Sequence, residues 1–194
     1  NLFRSKNDPL LYRNKLLVEG MLERVVNLHF SVTSLQGIFS SAMHAGQAVC
    51  DRYGKATLYT SLFFEHGSEQ PLHRDTPYFY SGSQEGYFGV WVALEDADEE
   101  NGALIAIKGS HRLLEPDLEK LKNRFHPNSE VPPSSPHLFQ AYNEELAFAA
   151  ERQGLSTVTC AVKKGDMILW HPSTLHGGLP HLDKCRSRRS FIMH

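Results

Sequence analysis

The stretch QPLHRDTPYF, residues 70–79, sets an imidazole, His73, and a carboxylate, Asp75, on either side of Arg74. On an extended backbone successive side chains alternate, so His73 and Asp75 point to one side of the chain and Arg74 to the other. Two metal donors are thereby placed together, and one more from elsewhere would complete a site. Candidates for it lie later in the chain, in GDMILWHPSTLHGGLPH, where a Gly-Asp turn and a strand MILW lead to His171, His176 and His181. Two imidazoles and one carboxylate on one face of a metal leave the opposite face open, the arrangement by which non-haem Fe(II) sites admit a cosubstrate and dioxygen. A three-ligand zinc site for hydrolysis would use the same residues.

The elements that must position these side chains change character along the chain. Residues 14–30 carry Leu17, Met21, Val25 and Leu28 at helical spacing, and a second packing helix is expected from Ser34 to Asp51. From Ala56 the pattern turns to strands, in ATLYTSLFFE and GYFGVWVALED, both rich in aromatic and β-branched residues. Asn101 and Gly102 mark a turn, after which ALIAIKG reads as another strand. Residues 117–126 and 139–153 read as helices on either side of HPNSEVPPSSPH, a proline-rich loop of the kind that serves as a lid or binding loop. STVTCAV, DMILWHP and RRSFIMH complete the strands. No internal repeat or linker divides the chain, so one domain is expected over 1–194. Helices would occupy residues 1–55, and an antiparallel sandwich or barrel residues 56–194, with a loop and helix insertion at about 113–154. The class is α+β.

Composition narrows the possibilities. A chain of 194 residues, 41% hydrophobic with a formal net charge of −2, buries roughly 70% of its unfolded surface, enough for a real core. Near-zero charge speaks against a nucleic-acid partner, and CRSRR at 185–189 reads as a solvated basic end. The three cysteines, Cys50, Cys160 and Cys185, are odd in number and far apart, which suits a reducing compartment and leads us to expect a cytoplasmic protein. No apolar run approaches the ~20 residues of a membrane span and no signal peptide is visible, so no membrane partner is expected.

Read together and in order, PLHRDTPYF, VWVALEDADEENGALIAIKGSHR, GDMILWHPSTLHGG and RSRRSFIMH resemble the segments of the phytanoyl-CoA dioxygenase family of Fe(II)/2-oxoglutarate oxygenases. The resemblance covers about residues 57–194. It implies a double-stranded β-helix, the jelly-roll or cupin-like core of that superfamily, with packing helices that are mainly N-terminal. It also implies Fe(II), 2-oxoglutarate and O2 as cofactor and cosubstrates, with ascorbate as a supporting reductant, and a small molecule as substrate.

Carried over residue by residue, the resemblance makes His73, Asp75 and His176 the metal ligands, with His171 at a strand end and His181 at no ligand position. An arginine after the third ligand holds the distal carboxylate of 2-oxoglutarate in the family, which a planar guanidinium does with two parallel hydrogen bonds. Arg188 aligns best, with Arg186 and Arg189 as alternatives because the spacing from His176 is one residue longer than is common. Trp91 matches a tryptophan placed beside the cosubstrate, or else is a core aromatic. Tyr59 and Ser61, on one face of an early strand, are further candidates for hydrogen bonds to the cosubstrate. Halogenating relatives carry a small residue in place of the carboxylate, so Asp75 implies hydroxylation or a related oxidation. Arg74 departs from the glutamine often found there. The rival readings are a zinc-dependent hydrolase using the same triad, which has no use for Arg188, and a non-catalytic jelly-roll binding protein.

Overall fold

A computed structural model describes residues 24–30, 32–45, 47, 51, 54, 56–77, 86–128 and 135–194. Its strands are β1 (Val25–Val26), β2 (Ser61–Phe64), β3 (Gln70–His73), β4 (Gly89–Ala93), β5 (Leu104–Ile107), β6 (Thr157–Cys160), β7 (Met167–Trp170), β8 (His176–Gly178) and β9 (Ser190–Met193). Its α-helices are α1 (Leu35–Ala45), α2 (Leu118–Phe125) and α3 (Pro136–Arg152).

The strands form two antiparallel sheets, one in the order β1-β2-β9-β4-β7 and the other in the order β3-β8-β5-β6. Apart from the antiparallel neighbours β1–β2 and β5–β6, consecutive strands in the chain alternate between the two sheets, which is the winding of a jelly roll. In the larger sheet Leu62 stands opposite Ile192, Ile192 opposite Trp91, and Trp91 opposite Ile168. Because side chains alternate, this row faces the second sheet, where Trp91, Ala93, Ala97 and Trp170 pack with Leu104 of β5. The other face of the same strands carries Val90, Val92, Phe191 and Met193, which α1 covers with Leu35, Ile38, Phe39 and Ala42 at helical spacing.

The helices α2 and α3 close the far side of the smaller sheet. Leu121, Tyr142, Leu146 and Ala150 bury against Ile107, Leu113 and Leu175 there. Local chemistry starts both helices. Asp117 caps α2 by accepting the Lys120 N–H at 3.0 Å, and Pro136 sits in the first turn of α3, where no N–H is needed. Both lie within the insertion expected at about 113–154.

One expectation fails at its C-terminal end. Residues 25–30, assigned to a helix by periodicity, form the short strand β1 paired with Phe63 and Leu62 and then a 3-10 turn, Leu28–Phe30. Val25 satisfies either period, and the open edge of β2 supplies ladder partners that a helix cannot use. Residues 1–23 of that expectation, and Cys50, lie outside the described residues. Cys160 and Cys185 are free thiols. No helix among the described residues is long and apolar enough to cross a membrane.

Candidate metal centre and cosubstrate pocket

His73 is the last residue of β3 and His176 the first of β8, and the two stand directly opposite each other across the antiparallel pair. This cross-strand position brings their rings to 4.5 Å between centroids. β8 can lie this close to β3 because Gly177 has no side chain: a Cβ there would fall 2.6 Å from the Gln70 carbonyl oxygen. Asp75, two residues beyond His73, completes a group whose donor atoms all lie within 4.8 Å of one another, a set able to hold one metal ion.

Backbone carbonyls orient both imidazoles. His73 Nδ1 lies 2.8 Å from the Pro71 oxygen, and His176 Nδ1 3.0 Å from the Thr174 oxygen. A carbonyl only accepts, so each Nδ1 carries the proton and each Nε2 presents a lone pair to the centre. Those Nε2 atoms stand 3.8 Å and 3.6 Å from the Asp75 oxygens. The carboxylate is fixed in turn by Trp170, whose Nε1–H donates to Asp75 Oδ2 at 2.9 Å. His194 Nε2 lies 3.7 Å from the same oxygen.

Electrostatics keep the set ready for a cation. Burial alone would raise the Asp75 carboxyl, but the His194 hydrogen bond, the charges of His176 and His194 and the Trp170 bond outweigh it and hold the pKa at about 2. Burial moves the His176 imidazole in the opposite sense, below its usual value, favouring the neutral form that ligates metals.

The centre opens on a cavity of about 840 Å³ lined by residues of both sheets and of α3. Thr60, Leu62, Phe64, Leu104 and Ile192 form its inner wall, and Phe139, Gln140, Asn143 and Glu144 of α3 its outer wall. Behind Phe64 lies Arg188, only 3% exposed, with its guanidinium 5.8 Å from the Phe64 ring and 5.5 Å from that of Trp91. The guanidinium's single hydrogen bond among the described residues is a long one, 3.4 Å, to the His66 oxygen, and Nε makes none there. Ser190 Oγ and Trp91 Nε1 are likewise buried without a partner among the described residues. Burial lowers the Arg188 pKa to about 10, so the group is still a cation at neutral pH. A buried guanidinium with no carboxylate partner among the described residues is chemically suited to an anion, because an unpaired charge is costly to bury.

The other sequence candidates fall out by strand phase and pairing. Arg186 is engaged by Asp98 at 2.8 and 3.0 Å, and Arg189 by Glu95 and Glu65 at 2.8 and 3.3 Å, both near the surface. His171 Nδ1 accepts the Ser173 N–H, and His181 Nδ1 accepts the Gly67 N–H, so both brace loops. Trp91 stands one layer behind the cavity wall, against Arg188. Tyr59 and Ser61 require correction as cosubstrate contacts. Tyr59 is 72% exposed, Ser61 Oγ is held by His29 Nδ1 at 2.6 Å, and it is Thr60 and Leu62, of opposite phase, that face the cavity. Both sides of this strand read as apolar, so alternation did not reveal which one faced inward. Ser190 and Trp170 escaped the sequence reading, although the Arg-x-Ser spacing on a strand places Arg188 and Ser190 on one face. Tyr78, Phe79 and Tyr80, which follow the first two donors in the chain, and the centre of the proline-rich loop lie outside the described residues.

Comparison with known proteins identifies the family and the fold. Residues 13–190 match the model of the family described as phytanoyl-CoA dioxygenase (PhyH). A mouse relative, phytanoyl-CoA dioxygenase, peroxisomal, is 28% identical over 57% of this chain and 28% of its own length. A Dictyostelium discoideum relative, phytanoyl-CoA dioxygenase domain-containing protein 1 homolog, is 30% identical over 73% of this chain and 47% of its own. The chain therefore spans less than half the length of these relatives. Among solved structures, the non-heme alpha ketoglutarate dependent carbocyclase SnoK from nogalamycin biosynthesis superposes over 98% of this chain and 75% of its own. The TM-score is 0.64 at 17% identity, a likeness of fold.

Proposed function

The chain belongs to the phytanoyl-CoA dioxygenase family, and from that premise we propose that it is an Fe(II)- and 2-oxoglutarate-dependent dioxygenase that hydroxylates an unactivated C–H bond of a small molecule, releasing succinate and CO2. The observation that carries this reading is the pairing of the His73, Asp75 and His176 donors, which line one cavity, with a buried cation, Arg188, directly behind the Phe64 wall of that cavity and without a carboxylate partner among the described residues. A zinc hydrolase needs the first and has no use for the second.

The residues fit both groups. His73 and His176 would bind the metal through Nε2 and Asp75 through its carboxylate, all three held in place beforehand by Pro71, Thr174 and Trp170. Bound iron supplies the oxygen chemistry, in which oxidative decarboxylation of 2-oxoglutarate is coupled to oxidation of the substrate. Arg188, with Ser190 beside it, would take the distal carboxylate and so fix the cosubstrate. Leu62, Phe64, Leu104 and Ile192 keep this wall of the cavity apolar and dry, which strengthens each polar contact within it. The α3 residues Gln140 and Glu144 would face the substrate, while Asn143 between them is held by the Arg74 N–H and the Phe139 carbonyl.

The test is anaerobic titration of the protein with Fe(II) and 2-oxoglutarate, followed by admission of oxygen and measurement of succinate. A visible charge-transfer band in wild type that is absent from His176→Ala, and that needs far more 2-oxoglutarate in Arg188→Ala, supports the oxygenase reading. Metallated wild type with no band and no succinate would overturn it.

A further inference from the structure

We propose that Arg74, the residue between the first two donors, is a positioning residue that ties both donor-bearing segments to one brace, residues 110–115, and so sets the spacing of the metal site. The inference rests on the metal-site reading above.

Alternation sends the Arg74 side chain away from the centre, yet it does not reach solvent: its exposure is 0%. Instead Nη1 donates to Glu115 Oε1 at 2.6 Å, and Nη2 to the Ser110 and Leu113 carbonyls at 2.7 and 3.1 Å. The backbone is held too, since the Arg74 N–H donates to Asn143 Oδ1 at 3.0 Å. The second Glu115 oxygen accepts the Tyr142 hydroxyl at 2.5 Å, and Tyr142 lies 3.3 Å from Thr76 Oγ1, on the other side of Asp75. Residues 74 and 76 are therefore gripped on both flanks of the carboxylate donor.

The same brace reaches the third donor. Ser110, whose carbonyl accepts from Arg74, accepts through its hydroxyl the N–H of Leu175, the residue before His176, at 2.8 Å. The neighbouring Ile107 N–H donates to the Leu175 carbonyl at 2.9 Å. One residue, Ser110, thus contacts the chain next to Asp75 and next to His176. The sheet ladder cannot do this alone, because the β3–β8 register shifts between Gln70 and His73, and such an irregularity leaves local pairing incomplete. A guanidinium suits the task because its rigid planar fork directs donors from two separate nitrogens, one to the carboxylate and one to the two carbonyls, whereas an ammonium carries its three donors on a single rotating point.

The test is Co(II) titration of wild type, Arg74→Gln, Arg74→Lys and Glu115→Gln, read by the Co(II) ligand-field spectrum. It is run at a temperature where circular dichroism shows each variant folded. Residues that orient donors typically change metal affinity by about 10–100-fold, so Arg74→Gln is expected to weaken Co(II) at least tenfold and alter its spectrum. Arg74→Lys should recover part of the loss, and Glu115→Gln should lose affinity by a smaller factor. An Arg74→Gln protein that melts earlier but binds Co(II) with wild-type affinity and spectrum would overturn the proposal, leaving Arg74 a purely structural ion pair. If Arg74→Gln does not fold, Glu115→Gln decides, with weakened binding supporting the brace and wild-type binding overturning it. Wild type that binds no Co(II) removes the metal reading itself, an outcome distinct from unchanged binding in the variants.

Discussion

Trp170 and Asp75 are 95 residues apart in the chain and joined by a buried 2.9 Å hydrogen bond from the indole N–H to Oδ2. The bond spans the two sheets: Trp170 ends β7 in one, and Asp75 follows β3 of the other. It aims the carboxylate at the two imidazoles.

Trp170→Phe keeps most of the ring volume and deletes the donor. Hydrogen bonds to charged groups are worth about 1.5–3 kcal/mol, so Fe(II) affinity should fall about tenfold or more, measured by anaerobic calorimetry. Unchanged affinity would mean that the indole only fills space.

Gly89 stands opposite Trp170 in the ladder, and a Cβ there would fall 2.1 Å from the indole carbons. Gly89→Ala must therefore displace the ring, with an expected cost of about 1–3 kcal/mol in urea denaturation and a parallel loss of metal affinity. In the double variant with Trp170→Phe the two effects should be less than additive, because both act through one side chain.

Arg188→Met should raise the KM for 2-oxoglutarate about a hundredfold with metal affinity little changed, and Arg188→Lys should raise it less, since a lysine keeps the charge and loses the fork. Ser190→Ala, which removes the unbonded hydroxyl on the same strand face, should raise KM only a few fold. Steady-state kinetics at saturating Fe(II) decides all three.

Fe(II) at a hundred times its dissociation constant should stabilise the wild-type fold by about 2.7 kcal/mol, and removal with a chelator should reverse this. The increment should vanish in His73→Ala and His176→Ala, as read by thermal melts with and without metal. An equal increment in those variants would place the ion elsewhere.

Part of the candidate site was legible in the sequence because it rests on local geometry. A period of two puts His73 and Asp75 on one side, whereas spacing left His171, His176 and His181 open as the third donor and only the family resemblance singled out His176. The strand-rich second half and the helices at 118–125 and 136–152 follow from composition and spacing in the same way.

What the sequence by itself determined is which residues share a face; the tertiary structure alone decided which face looks inward. Among Arg186, Arg188 and Arg189 the choice depends on the phase of β9, set by Ile192 lying between Leu62 and Trp91, and the neighbours are drawn off by Asp98, Glu95 and Glu65 from other parts of the chain. Ser61 of β2 takes the phase of Met193, on the sheet face away from the cavity, and Tyr59, just before β2, is exposed. Val25 joins a sheet because the edge of β2 lies next to it, not because of its own neighbours. Every one of these outcomes depends on a partner far away in the chain, and a local pattern of apolar and polar residues carries no record of which strand lies opposite.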